Sequence, residues 1–253
     1  KMLGQGDTEG VFQLESSGMK QVLVGLQPQN LEDVIALISL YRPGPMDSIP
    51  TYLRNRHEPD KISYKTPQLA HILDVTNGCI VYQEQVMQIF RELAGFSFGQ
   101  ADNVRRAMSK KKHAVMEAER EHFVHGCTEP GHECPGCVAN GISEKVANEI
   151  YDEMSSFASY AFNKSHAACY AYVAFQTAYL KCHYPSEFMA ALLTSVLDNT
   201  DKVIEYSGEC ARLGIKVLPP DVNVSGGGFT ADENGQIRFG LNAVKNVGRN
   251  LIE

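Results

Sequence analysis

The sequence contains no apolar run long enough to cross a bilayer, and its first residues do not form a signal peptide. It also has no Gly-x-x-x-x-Gly-Lys-Ser/Thr loop and no Gly-x-Ser-x-Gly elbow, which argues against a P-loop NTPase and an α/β-hydrolase. Internal repeats and low-complexity stretches are not evident. We therefore expect a globular protein with no membrane partner.

Cysteine occurs in a number and distribution that do not fit a secreted disulfide framework. The seven cysteines are odd in number and unevenly spread, so we expect a cytoplasmic protein. Cys79, Cys169, Cys182 and Cys210 fall on apolar positions and are predicted to be small core residues. Neither end of the chain has a terminus-like tail, from which we expect a fragment of a longer protein.

Helical periodicity dominates the chain. Its 253 residues, 43% of them hydrophobic, can build one large domain or several smaller ones. Apolar residues recur at helical spacing in LEDVIALISLY, QEQVMQIFRELAG and EFMAALLTSVL. Asn234-Gly235 between short extended stretches predicts a hairpin near the end. The fold class is therefore predicted to be mainly α, with a small α+β segment at each end.

Positive charge is concentrated in one stretch of an otherwise acidic chain. Residues 105–112 read RRAMSKKK, and the net charge is −7. A cluster of this kind is suited to a polyanion, although a solvated helix face is the more common explanation. Adjacent arginines can bind phosphate oxygens in pairs, and lysines add point charges. The candidates for phosphate contact are Arg105, Arg106, Lys110 and Lys112.

The phase of this stretch depends on where its helix begins and ends. Ser97 and Gln100 fit a capping box, and Gly95 fits the end of the preceding helix. If the helix continues to His113, Arg106, Lys110 and His113 would share one exposed face.

A second candidate phosphate site lies at residues 163–166, before the apolar stretch AACYAYVAFQTAYLKCHY. Helix N-termini attract anions, and Lys164 and His166 would add to the positive pole beside Asn163. Ser165 is the predicted N-cap of a helix that should be buried nearly all round. An ordinary N-cap with an exposed Lys164 is the alternative.

Two further polar positions have a structural and a functional interpretation. Gln83 and Glu84 open a helix and could contact a base or ribose, or could serve only as helix-start residues. Asp47 follows the rigid Arg-Pro-Gly-Pro corner and could hold a metal ion or simply occupy a turn.

The stretch HGCTEPGHECPGC predicts a metal site. The two-residue gap between Cys134 and Cys137 lets both thiolates bind one ion, and Cys127 and His132 would complete four ligands. His125 could replace His132. Four protein ligands leave no open position, so a bound Zn²⁺ would be structural.

The chain resembles the bacterial C-family replicative DNA polymerases, the alpha subunits of DNA polymerase III. The resemblance is carried by GVFQLESSGM, ALISLYRPGPM, GCIVYQEQVMQI, DNVRRAMSKKK, FASYAFNKSHAACYA, LKCHYPSEFMAALLTS and VLPPDVN, in that order along the chain. The cysteine-rich insertion at 125–141 departs from the family pattern.

The resemblance implies three ranges. Residues 1–50 are expected to derive from the palm, 51–198 to form a multi-helix, nucleotide-binding fingers domain, and 199–253 to begin a tandem helix-hairpin-helix region close to the clamp-binding part. Primer–template DNA, the dNTP, the sliding clamp and other replisome subunits are the implied partners.

The implied reaction is template-directed nucleotidyl transfer with two Mg²⁺ ions. Two metal-binding aspartates are expected upstream of this chain, which alone should be inactive, and Asp47 is the candidate for the third. Arg105 and Arg106 would bind the triphosphate, and Lys110 and Lys112 would make further phosphate or backbone contacts. Asn163, Lys164 and His166 would line the nascent base pair and the phosphates, with Gln83 nearby. The alternatives are a non-catalytic helical nucleic-acid-binding module and an interaction scaffold for an acidic protein.

Overall fold

A computed structural model describes residues 1–110, 113–158, 162–247 and 252. Over these residues the chain forms twelve α-helices and a three-stranded sheet, which confirms the mainly α class. The helices are α1 (Ser17–Leu26), α2 (Leu31–Leu40), α3 (Ile49–His57), α4 (Ala70–Leu73), α5 (Gln83–Ala94), α6 (Phe98–Ser109), α7 (His113–His125), α8 (Gly136–Ala139), α9 (Glu144–Ala158), α10 (Lys164–His183), α11 (Pro185–Ser195) and α12 (Thr200–Arg212). The strands are β1 (Val217–Leu218), β2 (Thr230–Ala231) and β3 (Ile237–Arg238).

The chain divides into two compact units that are not continuous in sequence. The first combines residues 1–27 with 172–253, and the second contains residues 28–171. Residues 28–50 belong to the second unit, together with the helices that come after them. All three strands lie in the first unit, in its C-terminal part. Residues 1–50 contain helices but no strand.

The second unit is built around α5. Phe90 on this helix packs edge-on against Phe123 of α7 and Tyr151 of α9, with ring centroids 5.0 and 6.0 Å apart. All three side chains are fully buried. Aromatic pairs in this geometry add to the stability that their burial provides. The core therefore fixes the position of α5, and with it the polar first turn of this helix.

The predicted junction between α5 and α6 is confirmed, and the condition that α6 continues to His113 is not met. Gly95 ends α5 in the left-handed conformation, and Ser97 and Gln100 form a reciprocal capping box at the start of α6. The helix then ends at Ser109, and a new helix begins at His113. A single basic face reaching His113 is thus not formed by one continuous helix.

The helix α10 is much more exposed than its sequence predicted. Its buried positions are occupied by small residues, namely Ala167, Ala171, Ala174 and Ala178. Tyr172 and Phe175, by contrast, are 56% and 52% exposed. Both faces of α10 carry apolar residues, so the sequence did not show which face is buried. Hydropathy alone does not distinguish a packed alanine from an exposed aromatic ring. The prediction that Cys169 and Cys182 are core residues is wrong for the same reason, whereas Cys79 and Cys210 are buried.

The first unit contains a small mixed sheet of order β1-β3-β2. β2 and β3 pair antiparallel with Ala231 opposite Ile237, and the turn between them contains Gly235, as the predicted hairpin requires. β1 pairs parallel to β3. Ile237 packs in a core with Met189, Leu193 and Cys210, so the sheet is anchored on α11 and α12.

A buried network of charges lies in the same unit. The Lys181 ammonium, only 1% exposed, is 2.8 Å from Asp7 Oδ1 and 2.8 Å from Glu209 Oε1. Arg212 also binds Glu209, through Nε at 2.6 Å. Burial alone would raise the pKa of Glu209, but the hydrogen bonds from Arg212 and Lys181 hold this pKa below its ordinary value. The network thus stabilises the fold only while both signs of charge are present.

Replacing Lys181 with methionine should lower the free energy of unfolding by about 3 kcal/mol, because Glu209 and Asp7 would lose their buried partner. Chemical denaturation measures this loss. Lys202→Met, which removes an exposed partner of Glu205, serves as the control and should cost less than about 1 kcal/mol. Equal losses for the two variants would contradict a structural role for the buried network.

The network should also make stability depend on pH. Since the folded-state pKa of Glu209 is lowered, its contribution is present above the unfolded-state pKa and is lost as the pH falls through the folded-state pKa. Denaturation midpoints measured from neutral to acidic pH should fall less steeply in Glu209→Gln than in the unmodified protein. Parallel curves would show that Glu209 does not contribute to acid sensitivity.

Candidate functional site

A cleft of about 490 Å³ opens in the second unit beside the first turn of α5. The walls come from α5, from α6 and from the residue that precedes α10. The lining residues are Gln83, Glu84, Met87, Gln88, Arg91, Glu92, Phe98, Asp102, Arg105 and Asn163. Three predicted site residues, Gln83, Arg105 and Asn163, therefore meet in one place although they come from separate segments.

Arg105 is held in a fixed orientation by two side chains of the cleft. Its Nε and one terminal nitrogen donate to Asp102 Oδ1 at 3.0 and 2.7 Å, and the other terminal nitrogen donates to Gln83 Oε1 at 2.9 Å. The side chain is 18% exposed. A guanidinium restrained in this way loses little rotamer freedom when it binds a further anion.

Arg106 shares the same carboxylate but does not line the cleft. Its Nε donates to Asp102 Oδ2 at 2.7 Å, and its side chain is 65% exposed. The hydrogen bond from Arg105, together with the charges of both arginines, holds the pKa of Asp102 below its ordinary value. One carboxylate therefore compensates two guanidinium groups. Asp102 was not predicted, although its spacing of three and four residues from the arginines was a usable signal.

The first turn of α10 binds a carboxylate of this protein, that of Glu84. Asn163 accepts from the His166 amide at 2.9 Å, so Asn163, not Ser165 as predicted, caps the helix. The Glu84 carboxylate accepts from the Asn163 side chain at 2.8 Å and from the Lys164 amide at 3.2 Å through each oxygen. The positive pole that was predicted to bind phosphate is thus occupied by Glu84, which lies 80 residues away in sequence.

The side chains that follow this turn face different partners. The Lys164 ammonium is 2.9 Å from Glu32 and lies 5.3 Å from the ring centre of Tyr82. His166 contacts Phe162 and Tyr170, with ring centroids 5.2 and 4.5 Å apart. Neither Lys164 nor His166 lines the cleft of Arg105.

The remaining basic candidates lie at the end of α6. Lys110 is exposed and its amide caps the helix by donating to Arg106. Lys112 lies outside the described residues. A role for these lysines in phosphate contact stays a prediction.

Asp47 lies in a different cleft from Arg105. It belongs to a short 3₁₀ turn after α2, is exposed, and faces a space of about 520 Å³ that Ser48, Thr51 and Glu153 also line. No group of three potential metal ligands among the described residues includes it. The described residues therefore do not by themselves form a site for two Mg²⁺ ions.

The one described group of three such ligands is Asp7, Glu9 and Glu209. Lys181 and Arg212 already neutralise these carboxylates. The group is consequently part of the buried ion network and not a metal site.

The predicted zinc ligands lie around one hairpin. Cys127 and Cys134 pair across an antiparallel bridge, Cys137 is fully buried in the apolar core, and His132 is exposed. Burial raises the pKa of the Cys137 thiol to about 12. No three ligand atoms of this set lie within 4.8 Å of one another.

Sequence comparisons show which family the chain belongs to. The family model described as the bacterial DNA polymerase III alpha subunit finger domain matches residues 1–131, and a helix-hairpin-helix motif model matches residues 214–253. The chain therefore belongs to the bacterial DNA polymerase III alpha subunit finger domain family. The first match begins within the range that was expected to derive from the palm.

Individual relatives carry the same description. The chain is 51% identical to DNA polymerase III subunit alpha of Thermus aquaticus, with 98% of the chain and 20% of the relative aligned. It is 47% identical to the subunit of Bacillus subtilis (strain 168) and 45% identical to that of Escherichia coli (strain K12), with the whole chain and 22% of each relative aligned. The chain thus spans about a fifth of the length of these relatives. Among the described residues, no helix is both long and apolar enough to cross a membrane.

Replacing Glu84 with alanine should loosen the start of α10, because the Lys164 amide and the Asn163 side chain lose their shared acceptor. We expect the free energy of unfolding to fall by about 1 kcal/mol and the Lys164 amide to exchange faster with solvent. Denaturation and hydrogen exchange test this. Glu92→Ala is the matched control, since Glu92 lies on the same helix but binds Gln88 and His71. An unchanged Lys164 exchange rate in Glu84→Ala would contradict the contact.

Proposed function

We propose that the chain is the nucleotide-binding part of a replicative DNA-directed DNA polymerase, in which Arg105 contacts the triphosphate of the incoming dNTP. The observation that carries the proposal is the restrained Arg105 side chain at the wall of a cleft. Family membership supports the general activity, and the cleft supplies a place for the substrate. The whole enzyme would bind primer–template DNA and transfer a nucleotide during DNA replication.

The geometry of Arg105 suits a phosphate group. Its planar guanidinium keeps a fixed orientation through Asp102 and Gln83, and arginine can offer two parallel N–H groups to phosphate oxygens. A donor that is already oriented stabilises charge developing on the leaving pyrophosphate without further reorganisation. Arg105 would therefore act as an electrostatic stabiliser of the transferred group.

The contact made by α10 differs from the one that the sequence predicted. Because Glu84 occupies the helix pole, the Lys164 amide is not available to the triphosphate in this arrangement. Asn163 remains at the cleft wall, where it would contact the nucleotide, while His166 and Lys164 would face the nascent base pair from outside the cleft. Arg106, Lys110 and Lys112 would bind further phosphates of the substrate or the DNA backbone.

The two Mg²⁺ ions of the proposed reaction would supply activation of the primer hydroxyl and stabilisation of the leaving oxygens. The described residues do not fit this ion pair, since Asp47 has no matching set of carboxylates around it. The ions would be held mainly by residues outside this chain, which alone should be inactive. We derive no step through Asp47.

The whole protein would also attach to the sliding clamp and to other replisome subunits in the bacterial cytoplasm. Residues 199–253 would begin the DNA-binding region that leads to the clamp. The helix-hairpin-helix match to residues 214–253 supports this assignment.

Arg105→Ala in the intact polymerase should raise the KM for dNTP about 10- to 100-fold, because a charge-assisted hydrogen bond to phosphate is lost. Primer–template affinity, measured by fluorescence anisotropy at fixed salt, should change less than about twofold. Steady-state kinetics on the same preparation supply the KM. Lys145→Ala removes a positive charge from the exposed surface of α9 and should leave both quantities unchanged.

The outcome that would overturn the proposal is an equal loss of dNTP and DNA affinity in Arg105→Ala. That result would instead support a helical module that binds nucleic acid through phosphate contacts alone. An unchanged KM together with unchanged DNA affinity would remove Arg105 from either role.

A further inference from the structure

The cysteine-rich insertion has a backbone whose path is tightly constrained. Gly126 and Gly136 cross in direct contact, both with positive φ. A Cβ on Gly136 would lie 2.3 Å from the Gly126 nitrogen, and one on Gly126 would lie 2.5 Å from the Pro135 oxygen. Cys127 follows the first glycine, and Cys134 lies two residues before the second. The crossing therefore fixes the backbone at both cysteines.

These two cysteines lie directly opposite each other in the hairpin. The Cys127 amide donates to the Cys134 carbonyl and the Cys134 amide to the Cys127 carbonyl, each at 2.9 Å. Opposite residues of an antiparallel pair project from the same face. Where they exchange both hydrogen bonds, their Cα atoms are about 5.5 Å apart. That separation lies within the range of about 4.4–6.8 Å that a disulfide spans. Both thiols are free, so the pair is in its reduced form.

The two thiols differ in their exposure. Cys127 is half-buried, and its sulfur accepts a hydrogen bond from the Glu129 amide at 3.5 Å. An N–H donor of this kind stabilises the thiolate, which is the form that attacks a disulfide. Cys134 is 8% exposed, and burial raises the pKa of its thiol. Cys127 is therefore the sulfur that an oxidant reaches first, and Cys134 is the sulfur that reacts second.

The partner of the Cys134 thiol does not depend on it. This thiol donates to the His122 carbonyl of α7, with the sulfur 3.5 Å from the oxygen. The same oxygen also accepts from the Gly126 amide at 2.9 Å. Loss of the thiol hydrogen would thus leave the His122 carbonyl with a hydrogen-bond donor, and oxidation would not create an unsatisfied buried group.

The third cysteine of the insertion is unsuited to be the partner. Cys137 is fully buried and packs in the apolar core around α5 and α9. A disulfide to Cys134 through the Cys-x-x-Cys spacing would require its sulfur to leave that core, where side chains are closely packed. The hairpin partner Cys127 needs no such rearrangement.

The base of the hairpin is attached to the end of α5. A Cβ on Gly95 would lie 2.5 Å from Cδ of Pro135, so the proline ring packs directly on this glycine. The Asn140 side chain donates to the Leu93 carbonyl at 2.8 Å. Because Cys134 immediately precedes Pro135, a bond between the two cysteines would stabilise the part of the insertion that contacts α5.

We propose that Cys127 and Cys134 form a redox modification site, at which a small-molecule disulfide such as oxidised glutathione converts the two thiols into a reversible disulfide across the hairpin. The Cys127 thiolate attacks one sulfur of the oxidant, whose S–S bond breaks, and the first glutathione leaves and takes up a proton. The Cys134 thiol then loses its proton, and its sulfur attacks the Cys127 sulfur and releases the second glutathione. Two protein thiols are oxidised while one glutathione disulfide is reduced to two thiols.

The disulfide would close residues 128–133 into a loop and hold the glycine crossing together. In a reducing compartment the pair would remain as thiols, since disulfides there are usually transient. The site does not depend on the proposed nucleotide chemistry.

Disulfide mapping of the intact, folded polymerase tests the pairing. After incubation with excess oxidised glutathione, alkylation of free thiols and mass spectrometry of peptides should show Cys127 joined to Cys134, and dithiothreitol should restore both thiols. Cys137→Ser should form the same disulfide, whereas Cys134→Ser should stop at a mixed disulfide of Cys127 with glutathione. Three results in the unmodified protein would each overturn the proposal: a Cys134–Cys137 bond, a persistent mixed disulfide at Cys127, or two unreacted thiols.

Hydrogen exchange of the unmodified protein provides a test that needs no variant. The Cys127 and Cys134 amides should exchange about tenfold more slowly, or slower still, in the oxidised form, because the disulfide opposes opening of the hairpin. The Ala101 amide, which donates to Ser97 at the start of α6, is the internal reference and should not change. Equal exchange of the Cys127 and Cys134 amides in the oxidised and reduced forms would contradict a disulfide that holds the hairpin closed.

Discussion

The first turn of α5 is the element on which the rest of the second unit depends. Three consecutive residues each bind a different part of the unit. Gln83 accepts from Arg105 of α6 and its amide donates to the Phe162 carbonyl, while Glu84 binds the first turn of α10. Gln85 is buried and uses its side chain to accept from the Val81 and Tyr82 amides and to donate to Ile72 and Thr76. Because α5 is packed into the aromatic core, its first turn fixes the positions of the α6 and α10 residues that it binds at the cleft wall.

This arrangement means that the charges at the cleft are already compensated within the protein. Asp102 binds Arg105 at the cleft wall and also Arg106 beside it, and outside the cleft Glu32 binds Lys164. A phosphate at Arg105 would consequently meet a guanidinium whose charge Asp102 already compensates, and would not neutralise a free cation. The proposed specificity of the cleft would then depend on geometry, which Gln83 and Asp102 provide for Arg105.

The sequence was sufficient wherever a structural feature depends on neighbours within one or two turns. The capping box of Ser97 and Gln100, the left-handed Gly95 and the hairpin at Gly235 were all predictable, because each uses backbone groups a few residues away. The occupation of the α10 pole by Glu84 was not predictable, since it joins residues 80 positions apart. The exposed face of α10 was missed because its apolar composition carries no information about which neighbours cover it.

The two ion networks of this chain differ in burial, and therefore in what happens when one of their charges loses its partner. Lys181 and Glu209 have almost no solvent contact, so removing either charge leaves the other in an apolar environment at high cost. Arg105 is partly exposed and Arg106 largely so, and water can replace a lost partner at both positions. The same residue types at similar distances thus have opposite consequences. A buried pair can only maintain the fold, whereas a pair at the wall of a cleft is accessible to a ligand, and that difference supports the proposal that Arg105 contacts the substrate.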